Sequence, residues 1–245
     1  MTGKVNLSAR MKAVADLVTV GSSACDVGCD HGYVSIYLVQ ERKAPKVLAM
    51  DVNKGPLERA AINVRQAGLS EYITLRLSDG LSKYQIGEAE SLVIAGMGGR
   101  LMKRILERET EKTRSFRELI LQPQSELAVF REFLRNMGYS IADEDMILEE
   151  DKFYPIIKAV AGTYQGGNPQ LEDRFGPVLL KKKHPVLTLF LQKEWESSLK
   201  IRTELLKAGD SPKVAERLQE LSVEMDYLYQ AARVCGCEKA LTDLK

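Results

Sequence analysis

The chain has 245 residues, with 35 Lys and Arg against 34 Asp and Glu and a formal net charge of +1. That length buries a full α/β core and leaves room for a smaller second unit, while the near-zero charge excludes a globally polycationic nucleic-acid binder, so any RNA affinity has to come from local patches. No apolar run approaches the roughly 18 residues of a membrane span and the N-terminus has no apolar signal segment, which sets the expectation of a cytoplasmic protein with no membrane contact.

Leu7, Met11, Val14 and Leu17 or Val18 fall at helical spacing, predicting a short amphipathic helix ahead of the first strand. On residue type alone Arg10 reads as part of its solvated face. Ala24-Cys25-Asp26-Val27 is a short apolar run that closes in an acidic, glycine-punctuated turn, Gly28-Cys29-Asp30-His31-Gly32, before a helix over 33–41. Gly28 and Gly32 allow a sharp turn with positive φ and a close approach of backbone to a ligand. A second apolar run, Lys46 to Asp51, ends on a carboxylate that a parallel second strand would set beside a ribose diol.

A dinucleotide site asks for G-x-G-x-x-G around a pyrophosphate. Here the pattern is Asp26-x-Gly28-x-Asp30-x-Gly32, and Asp30 would repel a diphosphate. The same carboxylates suit a cationic ligand, and S-adenosylmethionine carries a sulfonium and an ammonium group. A dinucleotide site and a glycine turn without a ligand are the competing readings.

Gly55-Pro56 opens a second helix that runs to Ala67, with Gly68 as its C-cap. The third strand, 72–77, ends at Ser78-Asp79-Gly80, where Asp79 is either placed to accept from an adenine amino group or a plain turn residue. Right-handed crossovers make these strands parallel and put their loops on one edge, defining a doubly wound α/β sheet. The fourth strand, 91–95, leads through Gly96-Met97-Gly98-Gly99 into a helix whose Arg100, Lys103, Arg104 and Arg108 share one face. That face either neutralises phosphates or, with Glu107, Glu109 and Glu111 nearby, is an ordinary salt-bridged surface. Strands over 118–122, 140–149 and 153–160, with a helix over 126–137, complete the sheet, the last two forming a hairpin that adds an antiparallel edge.

The linker Gly162 to Pro169 ends the first domain, 1–165. In the second, 166–245, Val214, Leu218, Leu221, Met225, Leu228 and Ala232 are spaced 4, 3, 4, 3, 4, a heptad seam, and Leu187, Leu191, Trp195, Ser198, Ile201 and Leu205 form a looser partner. The link Ala208-Gly209-Asp210-Ser211-Pro212 joins them antiparallel as a coiled-coil hairpin. The four cysteines, Cys25, Cys29, Cys235 and Cys237, match no zinc spacing and have only His31 and His184 to complete a site, so free thiols and no metal are expected.

Asn6-Leu7-Ser8-Ala9-Arg10, Asp26 to Tyr33, Ser78-Asp79-Gly80-Leu81, Ile94-Ala95-Gly96-Met97-Gly98-Gly99 and Leu121-Gln122-Pro123-Gln124 together resemble the bacterial tRNA (adenine-22-N1)-methyltransferases. The resemblance spans roughly the whole chain, with the Ile-Ala-Gly-Met-Gly-Gly block its most specific part. It implies a class I methyltransferase, Rossmann-like, with S-adenosylmethionine as cofactor and tRNA as partner, acting as a monomer or weak homodimer. It implies cofactor contacts by Asp26, Gly28, Gly32, Asp51, Val52, Asp79, Gly80, Ala95 and Gly96. Asp30, His31 and Met97 become the candidate catalytic side chains, although Asp30 and His31 serve equally as loop supports. Arg10, Arg100, Lys103, Arg104 and Lys182 become candidates for the tRNA surface, with the helical hairpin gripping RNA or, alternatively, stabilising a dimer. The Gly-Met-Gly-Gly loop replaces the Asn/Asp-Pro-Pro-aromatic tetrad of amino-directed enzymes, which fits attack by a ring nitrogen. Methylation of a small molecule or protein, and an RNA-binding module that holds the cofactor without turnover, are the rival functions.

Overall fold

The computed structural model describes residues 4–209 and 211–242, which divide into two compact units, Met1–Gln165 and Gly166–Lys245. In the first unit the chain runs α1 (Ala9–Asp16), β1 (Ala24–Val27), α2 (Tyr33–Gln40), β2 (Val47–Asp51), α3 (Lys54–Gln66), β3 (Ile73–Leu77), β4 (Ser91–Met97), α4 (Gly99–Arg108), α5 (Thr110–Ser115), β5 (Glu118–Pro123), α6 (Leu127–Asn136), β6 (Tyr139–Glu149) and β7 (Lys152–Ala161). One seven-stranded sheet has the order β3-β2-β1-β4-β5-β7-β6. Strands β1 to β5 are mutually parallel, and β7 is antiparallel to both β5 and β6.

Burial explains the order. Every residue of β1, β2 and β5 is buried, as strands covered on both faces require. At the edge, β3 starts on buried Ile73 and ends on half-exposed Leu77. Alternate side chains enter two cores. Cys25, Val27, Leu48, Met50, Leu92 and Ile94 pack with Met102, Leu106 and Phe130 on one face. Ala24, Val47, Ala49 and Val93 pack with Val14, Ile36, Leu38 and Val64 on the other. Asp26 lies between Cys25 and Val27, so it points to the second face, toward α2.

The β6–β7 hairpin turns on Glu150 and Asp151, both with positive φ, between the paired residues Glu149 and Lys152. That is the two-residue turn whose twist matches paired strands. Inside the unit, Arg131 of α6 donates to Glu144 of β6 at 2.9 Å, and both side chains are essentially without solvent exposure.

The second unit contains α7 (Pro169–Phe175), α8 (Pro177–Lys182), α9 (Pro185–Lys207), α10 (Pro212–Cys235) and α11 (Glu238–Thr242). Helices α9 and α10 pack together, burying Leu187, Leu191 and Ser198 with Leu221, Met225, Leu228 and Ala232, and setting the Trp195 and Tyr229 rings 6.5 Å apart. Ser211 accepts from the Val214 N–H at 3.3 Å and Pro212 takes the first helical position, the start expected from the sequence. The seam is less continuous than its spacing suggests: toward the link Val214 and Leu218 are only half-buried and Ile201 is 40% exposed. Asp210 of that link lies outside the described residues. Among the described residues no helix is long and apolar enough to cross a membrane.

The Arg131–Glu144 pair makes a testable claim about the first unit. Arg131→Met leaves a buried carboxylate without its guanidinium and should cost about 3–5 kcal/mol by urea denaturation, whereas Arg131→Met with Glu144→Met should recover most of that loss.

Candidate active site

The sheet order reverses between β1 and β4, and the carboxyl ends of β1 to β4 open there into a cavity of about 590 Å³. Such a crevice is where doubly wound sheets bind ligands. Its wall includes Asp26, Gly28, Asp30, His31, Asp51, Val52, Asp79, Gly80, Ala95, Gly96 and Met97, as well as Arg10.

Asp26 forms the floor. It is 5% exposed, and its carboxylate accepts from Ser35 Oγ at 2.6 Å. Burial raises its pKa to about 6, with the neighbouring Asp51 charge adding to the rise and the Ser35 hydrogen bond opposing it. No basic side chain among the described residues pairs with it. Asp51 is also buried, but backbone fixes it: Oδ1 accepts from the Asn53 N–H at 2.8 Å and Oδ2 from the Asp30 N–H at 3.1 Å. Each oxygen keeps a lone pair for a hydroxyl donor.

The turn between them carries Gly28 at φ +77° and Asp30 at φ +49°. A Cβ on Gly28 would collide with the Met97 terminal methyl, so the glycine lets Met97 of β4 close over β1. His31 Nε2 lies 3.6 Å from Asp30 Oδ1, its ring is stacked 5.9 Å from Tyr33, and its carbonyl accepts from Asn63 at 2.9 Å. Gly32 is different. It begins α2 at φ +74°, and a Cβ there would meet the Ala60 methyl at 3.2 Å. It is not among the side chains and backbone that line the cavity, and the absence of a Cβ lets α2 pack closely on α3.

Beyond β3, Ser78 Oγ donates to the Gly80 carbonyl at 2.8 Å and accepts from the Lys83 N–H at 3.1 Å, fixing the turn that presents Asp79. Asp79 is well exposed and accepts from Arg108 Nη1 of α4 at 2.7 Å. The basic face of α4 is therefore largely ion-paired: Arg100 donates to Glu126 at 2.6 Å, and Lys103 lies 3.7 Å from Glu107 and over the Phe133 ring. Arg104 is exposed on the same helix. Lys182 ends α8 in the second unit, also exposed.

Arg10 departs from the solvated reading. Its guanidinium lies over the Tyr154 ring at 4.7 Å, Nη1 donates to Gln122 Oε1 at 3.2 Å, and Nε is 3.9 Å from Glu149 Oε2. Gln122 is wholly buried, and the same Oε1 accepts from the Gly96 N–H at 3.1 Å. One side chain of β5 thus joins α1 to the bulge of β4 at Ala95/Met97. Gln122 and Ser35 are missing from the site read in the sequence. A glutamine closing the apolar run Leu119-Ile120-Leu121 is a visible signal for the first, because a buried amide needs partners. Nothing local marks Ser35 out from other helix serines. Among the described residues no group of three or more His, Cys, Asp or Glu is arranged to hold a metal ion.

Strand order, switch-point cavity and unpaired floor carboxylate define a class I methyltransferase domain, and the family model described as a methyltransferase domain matches residues 7–157. The tRNA (adenine(22)-N(1))-methyltransferase of Bacillus subtilis is 33% identical over 229 residues, covering 92% of this chain and 96% of that protein. Sp1610 of Streptococcus pneumoniae, solved in complex with S-adenosyl-L-methionine, superposes with a TM-score of 0.80 at 33% identity, covering 92% of this chain and 99% of its own. TrmK of M. capricolum, solved with S-adenosyl-homocysteine, gives 0.79 at 27% identity, covering 94% and 99%. The chain belongs to the bacterial tRNA (adenine-22-N1)-methyltransferase family.

The raised pKa of Asp26 has a sign that can be checked. Between about pH 4 and 6 the unfolded chain is ionised at this position while the native protein keeps its proton, so folding stability falls as pH rises through that window and stays lower above it. Asp26→Asn removes the loss. The variant should be more stable than the parent at pH 8, by up to about 3 kcal/mol, and gain nothing at pH 4, as read by denaturant midpoints at the two pH values.

Proposed function

We propose that the protein transfers a methyl group from S-adenosylmethionine to N1 of the adenine at position 22 of tRNA. The observation that carries this reading is a cavity with an unpaired buried carboxylate, set in a chain that matches a tRNA (adenine(22)-N(1))-methyltransferase over nearly its whole length.

The residues fit the cofactor. Asp26 lacks a protein cation and would take the ammonium group of the methionine moiety, which would lower its pKa on binding. Asp51 would accept from the ribose hydroxyls through the lone pairs that Asn53 and Asp30 leave open. Asp79 would accept from the adenine amino group, with Gly80 behind it and Val52, Leu101 and Ile105 supplying apolar wall. Gly28, Ala95 and Gly96 allow close backbone approach; Gly32 supports the turn from behind. When bound, S-adenosylmethionine supplies an electrophilic methyl on sulfur.

Adenine N1 has an in-plane lone pair that attacks such a methyl without prior deprotonation, so the protein's task is alignment in a flipped-base pocket. Met97 and the Gly96–Gly98 backbone border the place where the base would stack. Asp30 and His31 also line the cavity and would offset the positive charge that builds on the ring, with either able to take a proton from N6 afterwards.

In this reading the first unit, residues 1–165, binds the cofactor and performs the transfer, and the second, 166–245, contributes tRNA surface including Lys182. Arg104 would meet phosphate directly. Arg100 and Lys103 would exchange exposed acidic partners for phosphates, since such pairs contribute about 0–1 kcal/mol. The protein would work in the cytoplasm, as a monomer or weak homodimer.

Incubation of tRNA with the protein and labelled cofactor, followed by nucleoside mass spectrometry, should yield 1-methyladenosine mapped to position 22. Direct formation of N6-methyladenosine, under conditions that prevent rearrangement, would refute ring-nitrogen attack. Cofactor bound but no methyl transferred to any tRNA would favour a binding module. At the cofactor, hydrogen bonds to a charged group contribute roughly 1.5–3 kcal/mol, so Asp51→Ala should weaken S-adenosylmethionine binding by about 10- to 150-fold in calorimetry.

A further inference from the structure

The segment Leu121-Gln122-Pro123-Gln124 carries two glutamines in opposite environments. Gln122 is fully buried, its side-chain oxygen already taken by the Gly96 N–H and by Arg10. Gln124 is exposed, and its backbone N–H donates to the Met97 carbonyl at 2.9 Å, which ties it to the turn after β4. Gly96 has φ +76°, and a Cβ there would reach ordinary contact with two side chains. The point where a Cβ would begin there lies 3.9 Å from Gln124 Nε2 and 3.9 Å from Arg10 Nη1. The cavity wall at Gly96 thus has an engaged guanidinium and a primary amide close to it.

We propose that Gln124 is the residue that reads the target base, through the N6/N7 edge of adenine. This rests on the adenine-N1 reading above. A glutamine amide pairs in two places with that edge, its oxygen accepting from N6 and its nitrogen donating to N7. The arrangement leaves the N1 lone pair unobstructed, which pairing along the Watson–Crick edge would not. Guanine presents acceptors at both N7 and O6, so the amide oxygen would face another oxygen and the pairing would fail. Gln122 sets the geometry: by holding Gly96 and Arg10 together, it fixes the turn beside which the Gln124 amide sits.

The test pairs one protein change with one substrate-atom change, using the full-length chain. Transfer is measured on tRNA carrying adenine or 7-deazaadenine at the target position, a replacement that removes the N7 acceptor but keeps N1 and N6. The discrimination expected of such a pairing corresponds to about 5- to 150-fold in kcat/KM. The parent protein should lose that factor on the 7-deaza substrate. Gln124→Ala should lose a similar factor on adenine and then be indifferent to N7, with cofactor affinity unchanged. A Gln124→Ala enzyme with parental kcat/KM, or a 7-deaza penalty equal in both proteins, overturns the assignment while leaving the proposed reaction intact. Failure of the parent protein to methylate unmodified tRNA overturns the proposed reaction, and the base assignment with it.

Discussion

A carboxylate kept from water at the end of β1 is the constraint on which the site depends. Asp26 is buried because β1 lies mid-sheet between β2 and β4, and its alternation turns it toward α2, where one hydroxyl, from Ser35, meets it. Asp51 on the adjacent strand is repulsive to it rather than compensating. A fold that sets two acids side by side at strand ends holds a place for positive charge, and the glycine turn above keeps that place open. The protein alone is less stable for it, and the cationic ligand of the proposed reaction would supply the missing charge.

The two sides of the switch point have different chemistry. On the β1–β3 side, acids project from strand ends and turns: backbone N–H groups fix Asp51, the Ser35 hydroxyl meets Asp26, and the Ser78 hydroxyl pins the turn that carries Asp79. On the β4–β5 side, a glycine turn is held by the amide oxygen of Gln122, and α1 is clamped to it through Arg10. The N-terminal helix therefore belongs to the site. It packs on the sheet through Val14 and Ala15 and also places a guanidinium against Tyr154.

Most of the architecture was legible because it rests on local rules: apolar runs closed by polar turns, caps at Ser211 and Gly68, and a hairpin after Gly138. The acids at Asp26, Asp51 and Asp79 were legible too, since strand ends converge in any doubly wound sheet. What sequence spacing missed was partnership across long separations. Arg10 reads as solvated because Gln122 and Tyr154 stand over a hundred residues away. The arginines of α4 share a face, yet Glu126 and Asp79 from other loops take two of them. Gly32 carries a motif position, but its reason is the Ala60 methyl on another helix. The heptad spacing predicts that α9 and α10 pack together without showing where burial stops.

The Arg108–Asp79 bridge reaches from the basic helix to the wall of the cavity at Asp79, and its two side chains are more than half exposed. An exposed pair of this kind weakens as ionic strength rises. Dissolved salt therefore acts at the end of the cavity where the proposed reading puts the cofactor's adenine, as well as along any phosphate backbone. A steep ionic-strength profile for turnover would mix two sources, a loosened nucleic acid and a freed Asp79, and only cofactor affinity measured without RNA separates them.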